Sequence, residues 1–279
     1  MDYQKRMPPE TAAEWSIFME NTAKTGKVKL TAKVVSQTAL TDDIFSMWIQ
    51  ADEVAKESKP GQFISVYTKD QSKLLPRPIS ICEIDREKGR LRIVYRTVGA
   101  GTKEFSGYQA GDDVTIMGPL GNGFPLDGTK KAFLIGGGIG IPPMLQLAKE
   151  LSCEKQMVLG YRDVLFLNEE FEQYGSVTIA TEDGSAGTKG NVLDAIKANG
   201  LQADVIYACG PTPMLRALKA YAQEQGMECW LSLEEKMACG IGACLACVCQ
   251  SKDVDEHSHV HNKRICKDGP VFAAQEVEL

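Results

Sequence analysis

The chain has 279 residues, 43% of them hydrophobic and 24% charged. That is longer than one ordinary domain, and the composition excludes a fibre or a disordered chain. With 31 basic against 37 acidic residues and a net charge of −6, a general nucleic-acid or anionic-membrane binder is excluded too. The longest apolar stretch, 132–145, is broken by Gly and Pro well short of the ~18–20 residues of a membrane helix. The N-terminus lacks the basic start and apolar core of an export signal. The expectation is a cytoplasmic protein with no membrane and no nucleic-acid partner.

Residues 1–26 read as an extension with Trp15, Phe18, Met19 and Thr22 at helical spacing. From 27 to 128 the period is two: Lys29–Val35, Ile44–Ile49, Gln62–Tyr67, Leu91–Arg96 and Val114–Met117 alternate between Gly/Pro/Asp clusters, predicting an antiparallel barrel or sandwich. From 129 to 228 short apolar runs (Ala132–Ile135, Met157–Gly160, Val177–Ala180, Val205–Ala208) alternate with helical patterns, one of them opened by Pro142-Pro143. This predicts a parallel α/β sheet, with Trp230–Leu233 as a further strand. Residues 229–279 read as a small, loop-like, Cys-rich domain.

Six of the nine cysteines fall in that last segment. Without an export signal they are poor material for disulfides. Cys239, Cys244 and Cys247 follow C-x4-C-x2-C, and Cys266 lies further on, the plant-type [2Fe–2S] ligand spacing. Gly240 and Gly242 let the loop turn its N–H groups toward the sulfurs. A structural zinc usually shows two paired Cys or His units, and Cys266 has no close partner in sequence. Cys249 reads as a non-ligand neighbour. His257, His259 and His261 read as an exposed polar loop, because four Cys already complete the set.

Two further segments carry chemistry. Arg77, Pro78, Ile79 and Ser80 place an Arg and a Ser on a Pro-stiffened loop, which suits a pyrophosphate; Gly101-Thr102 ahead of Phe105 adds N–H donors. On spacing alone an ordinary turn with Arg and Pro is the better reading. Gly136, Gly137, Gly138 and Gly140 follow an apolar strand and open a helix, which suits a dinucleotide phosphate, although the sixth position is Ile141 and the G-x-G-x-x-G pattern is not met. Glu182 and Asp183, after the third strand of this unit, would suit ribose hydroxyls and repel a 2′-phosphate, favouring NAD over NADP.

Taken together, Arg77–Ser80, Gly136–Gly140 and Cys209-Gly210-Pro211 resemble the ferredoxin–NADP reductase superfamily. The appended Cys239/Cys244/Cys247/Cys266 set is similar to that of the electron transfer subunits of NAD-dependent dihydroorotate dehydrogenases, over about residues 27–279. The resemblance implies a flavin barrel with FAD contacts at Arg77–Ser80, Val94, Tyr95, Arg96, Gly101 and Thr102, and NAD contacts near Gly136–Gly140, Cys209 and Gly210. It implies an FMN-containing, dihydroorotate-oxidising partner, two copies of each chain, and electrons passing from that FMN through [2Fe–2S] and FAD to NAD+. The chain itself would supply no substrate-oxidising base. The flavin subunits of bifurcating NAD(P)H–ferredoxin oxidoreductases are similar throughout and form the alternative. Their cluster has Asp in place of one Cys, a pattern from which Cys239 departs.

Overall fold

The computed structural model describes residues 27–70, 72–252, 254 and 259–279. The N-terminal extension, with its helical spacing from Trp15 to Thr22, and His257 lie outside them. Within 27–128 six strands close into an antiparallel barrel: β1 (Val28–Ala39), β2 (Ile44–Gln50), β3 (Phe63–Tyr67), β4 (Arg77–Asp85), β5 (Arg90–Arg96) and β6 (Asp113–Leu120), in the order β1-β2-β5-β4-β3-β6. Helix α1 (Asp52–Glu57) and helix α2 (Ala100–Phe105) cover it. Alternation puts Met47, Ile64, Ile81, Ile93 and Ile116 inside, with Tyr95 and Phe105 meeting edge to face.

One expectation is corrected here. Arg77–Ser80 is not a loop but the first half of β4. Pro78 is tolerated because this half pairs with β3 alone, Pro78 opposite Ser65, while β5 joins β4 only from Ile81 onward.

The second unit has seven strands in the order β10-β9-β8-β7-β11-β12-β15. They are β7 (Ala132–Gly137), β8 (Lys155–Tyr161), β9 (Ser176–Thr181), β10 (Thr188–Lys189), β11 (Val205–Cys209), β12 (Glu228–Ser232) and β15 (Val271–Ala273). Crossover helices α3 (Pro142–Glu150), α4 (Asn168–Phe171), α5 (Val192–Ala198) and α6 (Thr212–Gln225) connect and cover them. The order reverses at β7, flanked by β8 and β11, which is where open α/β sheets leave a ligand crevice at their carboxyl ends.

The last segment is more ordered than its sequence suggests. A ribbon of β13 (Val248–Gln250) and β14 (Asn262–Arg264) precedes β15, which pairs antiparallel with β12, so the sheet is not wholly parallel. Cys247, Ile265, Cys266 and Phe272 share one apolar core with Ile206 and Leu231 of the sheet. Among the described residues no helix is long and apolar enough to cross a membrane.

Candidate functional site: cysteine loop, barrel edge and nucleotide groove

On β4 the Arg77 side chain lies across Gly101 at the start of α2, and a Cβ at Gly101 would overlap its guanidinium. Its Nη1 donates to the Leu75 carbonyl. The Thr102 hydroxyl is taken up by its own turn, accepting from the Val98 and Gly99 N–H groups at 3.0 and 3.2 Å, so this stretch offers main-chain donors rather than the hydroxyl. Gln37 on β1 clamps the far end of α2, its amide donating to the carbonyls of Phe105, Ser106 and Tyr108. The phenol of Tyr95 donates to that same Gln37, 2.8 Å away. The Tyr95 ring is buried in the barrel, and burial raises its pKa. Val94 packs into the core shared with α3, and Arg96 pairs with Asp43 at 3.0 Å. The segment 94–96 is thus split between barrel core, joint and groove.

The groove has a volume of about 840 Å³ and runs between the β1–β2 turn and the carboxyl ends of the sheet, lined by Asp43, Arg96, Gly137, Gly138, Glu182 and Met214 among others. Gly136 stands opposite Cys209 in the β7–β11 register. Side chains are excluded behind this turn: a Cβ at Gly137 would lie 2.6 Å from Met214 Sδ, and one at Gly140 would overlap the Cys209 carbonyl. Of the carboxylates after β9, Glu182 reaches the groove, whereas Asp183 is held by the Ser185 N–H at 2.9 Å and its hydroxyl at 2.7 Å.

The cysteine loop turns through Gly240 and Gly242, at φ 71° and 87°. Cys239 Sγ accepts the Ile241 and Ala243 N–H groups at 3.5 and 3.3 Å. Burial pushes the Cys239 thiol up, but the Ile241 N–H, the adjacent Cys244 thiol and the Ala243 and Cys244 N–H groups outweigh it and bring it down to about 6. Cys247 Sγ accepts the Cys266 N–H at 3.4 Å. Burial, then the neighbouring Cys247, pushes the Cys266 thiol up to about 12. The Cys239 thiol thus has Cys244 as its neighbour and Cys247 has Cys266, while among the described residues no three such side chains are grouped to hold one metal ion. Two pairs of soft donors ringed by N–H groups fit a two-iron cluster, which takes two thiolates per iron.

Arg264 and Asp268 are residues that the motif did not reveal. The buried Arg264 guanidinium donates to the Gly242 carbonyl at 3.3 Å and to Asp268 at 3.0 Å, clamping the loop to the turn that carries Cys266. His261 spends Nδ1 on the Lys252 carbonyl at the ribbon end away from Cys247 and Cys266, and His259 is exposed. Cys249 faces Lys263 across the ribbon, its thiol pushed up to about 11 by burial.

The loop also leans on the barrel: a Cβ at Gly240 would lie 3.0 Å from Ser65 Oγ, and Ser65 is the register partner of Pro78. Residues 31–124 match the oxidoreductase FAD-binding domain, 134–220 the oxidoreductase NAD-binding domain, and 234–278 the iron–sulfur cluster binding domain of dihydroorotate dehydrogenase B. Over 263 residues the chain is 43% identical to the dihydroorotate dehydrogenase B (NAD(+)) electron transfer subunit of Geobacillus thermodenitrificans, covering 91% of this chain and 99% of that one. The chain belongs to the dihydroorotate dehydrogenase B electron transfer subunit family. The Listeria monocytogenes member is 45% identical over 255 residues, covering 88% of this chain and 98% of its own length. A solved NADH-dependent reduced ferredoxin-NADP oxidoreductase is 31% identical with a TM-score of 0.80, covering 88% of this chain and 89% of that one. Family membership brings FAD, an iron–sulfur cluster and NAD as the cofactor set, which the Arg77–Gly101 contact, the paired thiols and the groove each fit.

Proposed function

We propose that this chain is the NAD-reducing half of a cytoplasmic dihydroorotate dehydrogenase, fed by an FMN-bearing partner that oxidises dihydroorotate, with two copies of each chain in the complex. The observation that carries this reading is the contact chain Gly240–Ser65–Pro78, which joins the cysteine loop to the strand of Arg77 and Ser80 within one polypeptide. When bound, a [2Fe–2S] cluster supplies single-electron transfer, FAD an exchange between one and two electrons, and nicotinamide a hydride acceptor.

The residues have separate tasks. Arg77 and the main chain of Gly101 and Thr102 would hold the FAD pyrophosphate, with Pro78, Ile79, Ser80 and the backbone of 94–96 along the rest of the flavin. Gly136, Gly137, Gly138 and Gly140, backed by Cys209 and Gly210, would let NAD approach the main chain closely. Cys239, Cys244, Cys247 and Cys266 would hold the irons in pairs, and N–H groups on the sulfurs favour added negative charge. The ferredoxin-oxidoreductase reading has support in the 31% identical structure, but all four cysteines are present here and the dihydroorotate-type relatives are more similar.

The test is to purify the chain with its partner and follow NAD+ reduction by dihydroorotate. Steady NADH formation with one FAD and one cluster per chain is expected. A complex loaded with all its groups that reduces ferredoxin but is inert to dihydroorotate would overturn the reading.

A further inference from the structure

A charged network anchored on one buried arginine, which none of these sites uses, sits at the joint between the barrel and the sheet. Arg92 on β5 is 8% exposed. Its Nε donates to Ser46 Oγ at 2.8 Å and its Nη1 to Glu83 Oε2 at 2.7 Å, both in the barrel. The same guanidinium grips both oxygens of Glu170 on α4, Nη2 to Oε1 at 3.0 Å, so it spans the joint. A second tie lies beside it. The β4–β5 register shifts between Ile81 and Glu83. Just past that shift the Ile84 N–H donates to Oε1 of Gln146 on α3 at 2.7 Å. Gln146, 1% exposed, donates in turn to Glu150, which pairs with Arg86 of the barrel at 2.7 Å. Ile44, Cys82 and Val94 from the barrel fill the space between, against Ile141, Met144 and Phe171.

Both ties are attached to cofactor segments. Ile84 follows Ser80 on the same strand, and Gln146 sits in the helix that the Gly136–Gly140 turn opens. An ion pair with one buried partner adds little net stability, because desolvation of that partner offsets the attraction. A forked Arg–carboxylate pair does fix direction. We propose that Arg92–Glu170 and Gln146–Ile84 are positioning contacts that set the separation and angle between the flavin on the barrel and the nicotinamide in the groove. They would thereby set the rate of hydride transfer between reduced flavin and NAD+, which yields oxidised flavin, NADH and one proton. The inference deepens the reading under Proposed function and rests on it for the identity of the two reacting groups. Misplacement by about 1 Å is enough to cost ~100-fold in rate, so a loosened joint has room to show itself.

The test uses the complete complex carrying Glu170→Ala and, separately, Gln146→Leu. Glu170→Ala leaves Arg92 paired with Glu83, so no buried charge is orphaned. Flavin and cluster absorbance are expected to be retained and NAD+ affinity nearly unchanged, while stopped-flow bleaching of the flavin by NADH slows about tenfold. Glu170→Gln, which can still accept from Arg92, is expected to restore most of the rate. A readout independent of turnover is amide exchange in the chain without cofactors, where β4 and α3 should exchange faster in the Ala and Leu variants and the rest of the barrel should not. Bleaching at the parental rate in both variants, slowing only in proportion to lost flavin, or unchanged exchange at the joint would each overturn the proposal. NADH is the reductant throughout, so a parental complex inert to dihydroorotate would remove the substrate reading and leave this one standing.

Discussion

Asn122 and Val271 bond each other twice: Asn122 Nδ2 donates to the Val271 carbonyl at 3.0 Å, and the Val271 N–H donates to Asn122 Oδ1 at 3.0 Å. The side-chain amide thus imitates a strand neighbour, at the chain's exit from the barrel, for the segment that carries Cys266 into β15. Asn122→Ala removes both bonds and leaves the Val271 N–H without this acceptor. A loss of about 1–2 kcal/mol in unfolding free energy is expected, with the cluster lost on heating before the flavin. Parallel melts followed at cluster and flavin wavelengths would check the order.

Gly101→Ala tests the Arg77 contact. The new Cβ lands on the guanidinium, which must swing away from α2. FAD affinity is expected to fall about tenfold, equivalent to ~1.4 kcal/mol. Gly99→Ala is the control, since its Cβ would meet nothing within 4 Å. Flavin titration of both variants decides it, and equal affinities would place the pyrophosphate elsewhere.

Removing one sulfur should separate the two prosthetic groups. Cys266→Ser breaks the buried Cys247 pair while leaving Arg77, Gly101 and the groove untouched. The purified variant is expected to keep one flavin per chain and to lose its iron. It should still oxidise NADH with a dye as acceptor, while passing nothing from the partner. Iron analysis beside flavin release measures the split.

Glu104 gives α2 a pH dependence. Burial pushes its carboxyl up, but Lys73 at 2.9 Å, the Lys69 N–H at 2.6 Å and the Tyr108 hydroxyl at 2.8 Å outweigh that and hold it below its ordinary 4.5. A group lowered on folding contributes stability that is complete above its unfolded value and fades as pH falls through the folded one. Flavin retention is therefore expected to be flat at neutral pH and to weaken in acid below about 4.5. Glu104→Gln should weaken retention at neutral pH and flatten that acid limb, measured by flavin fluorescence against pH.

Much of this architecture was legible because local patterns carried it. Period-two alternation announced the barrel, and the Gly136–Pro143 punctuation announced a strand, a turn and a helix. The cysteine spacing pointed to the iron–sulfur domain that residues 234–278 match. The Arg77–Ser80 strand was hidden because Pro argues against a strand until its pairing on one side only is known. Arg264 and Asp268 were hidden because their role is a clamp between segments that only the fold brings together. The three-residue β15 is too short to announce itself by period, and its partner β12 lies about forty residues earlier. Tyr95 and Arg96 are adjacent in sequence, yet one ring lies inside the barrel and the other side chain lines the groove. A contiguous motif could not separate them.

Of the two carboxylates after β9, Glu182 lines the groove while Asp183 is bound into its own turn with Ser185. A 2′-phosphate brought beside Glu182 would meet like charge, whereas a free ribose diol would find an acceptor. Asp183 is exposed and its pKa is lowered first by the Ser185 N–H, so its charge is already committed to the turn. Glu182→Ser is therefore expected to raise KM for NAD+ about tenfold and lower that for NADP+ by a similar factor, each change worth ~1.4 kcal/mol. Asp183→Asn should shift neither preference, because Asn can close the same turn. Steady-state kinetics with both nucleotides would measure this, and an unchanged preference in Glu182→Ser would mean that the ribose lies elsewhere in the groove.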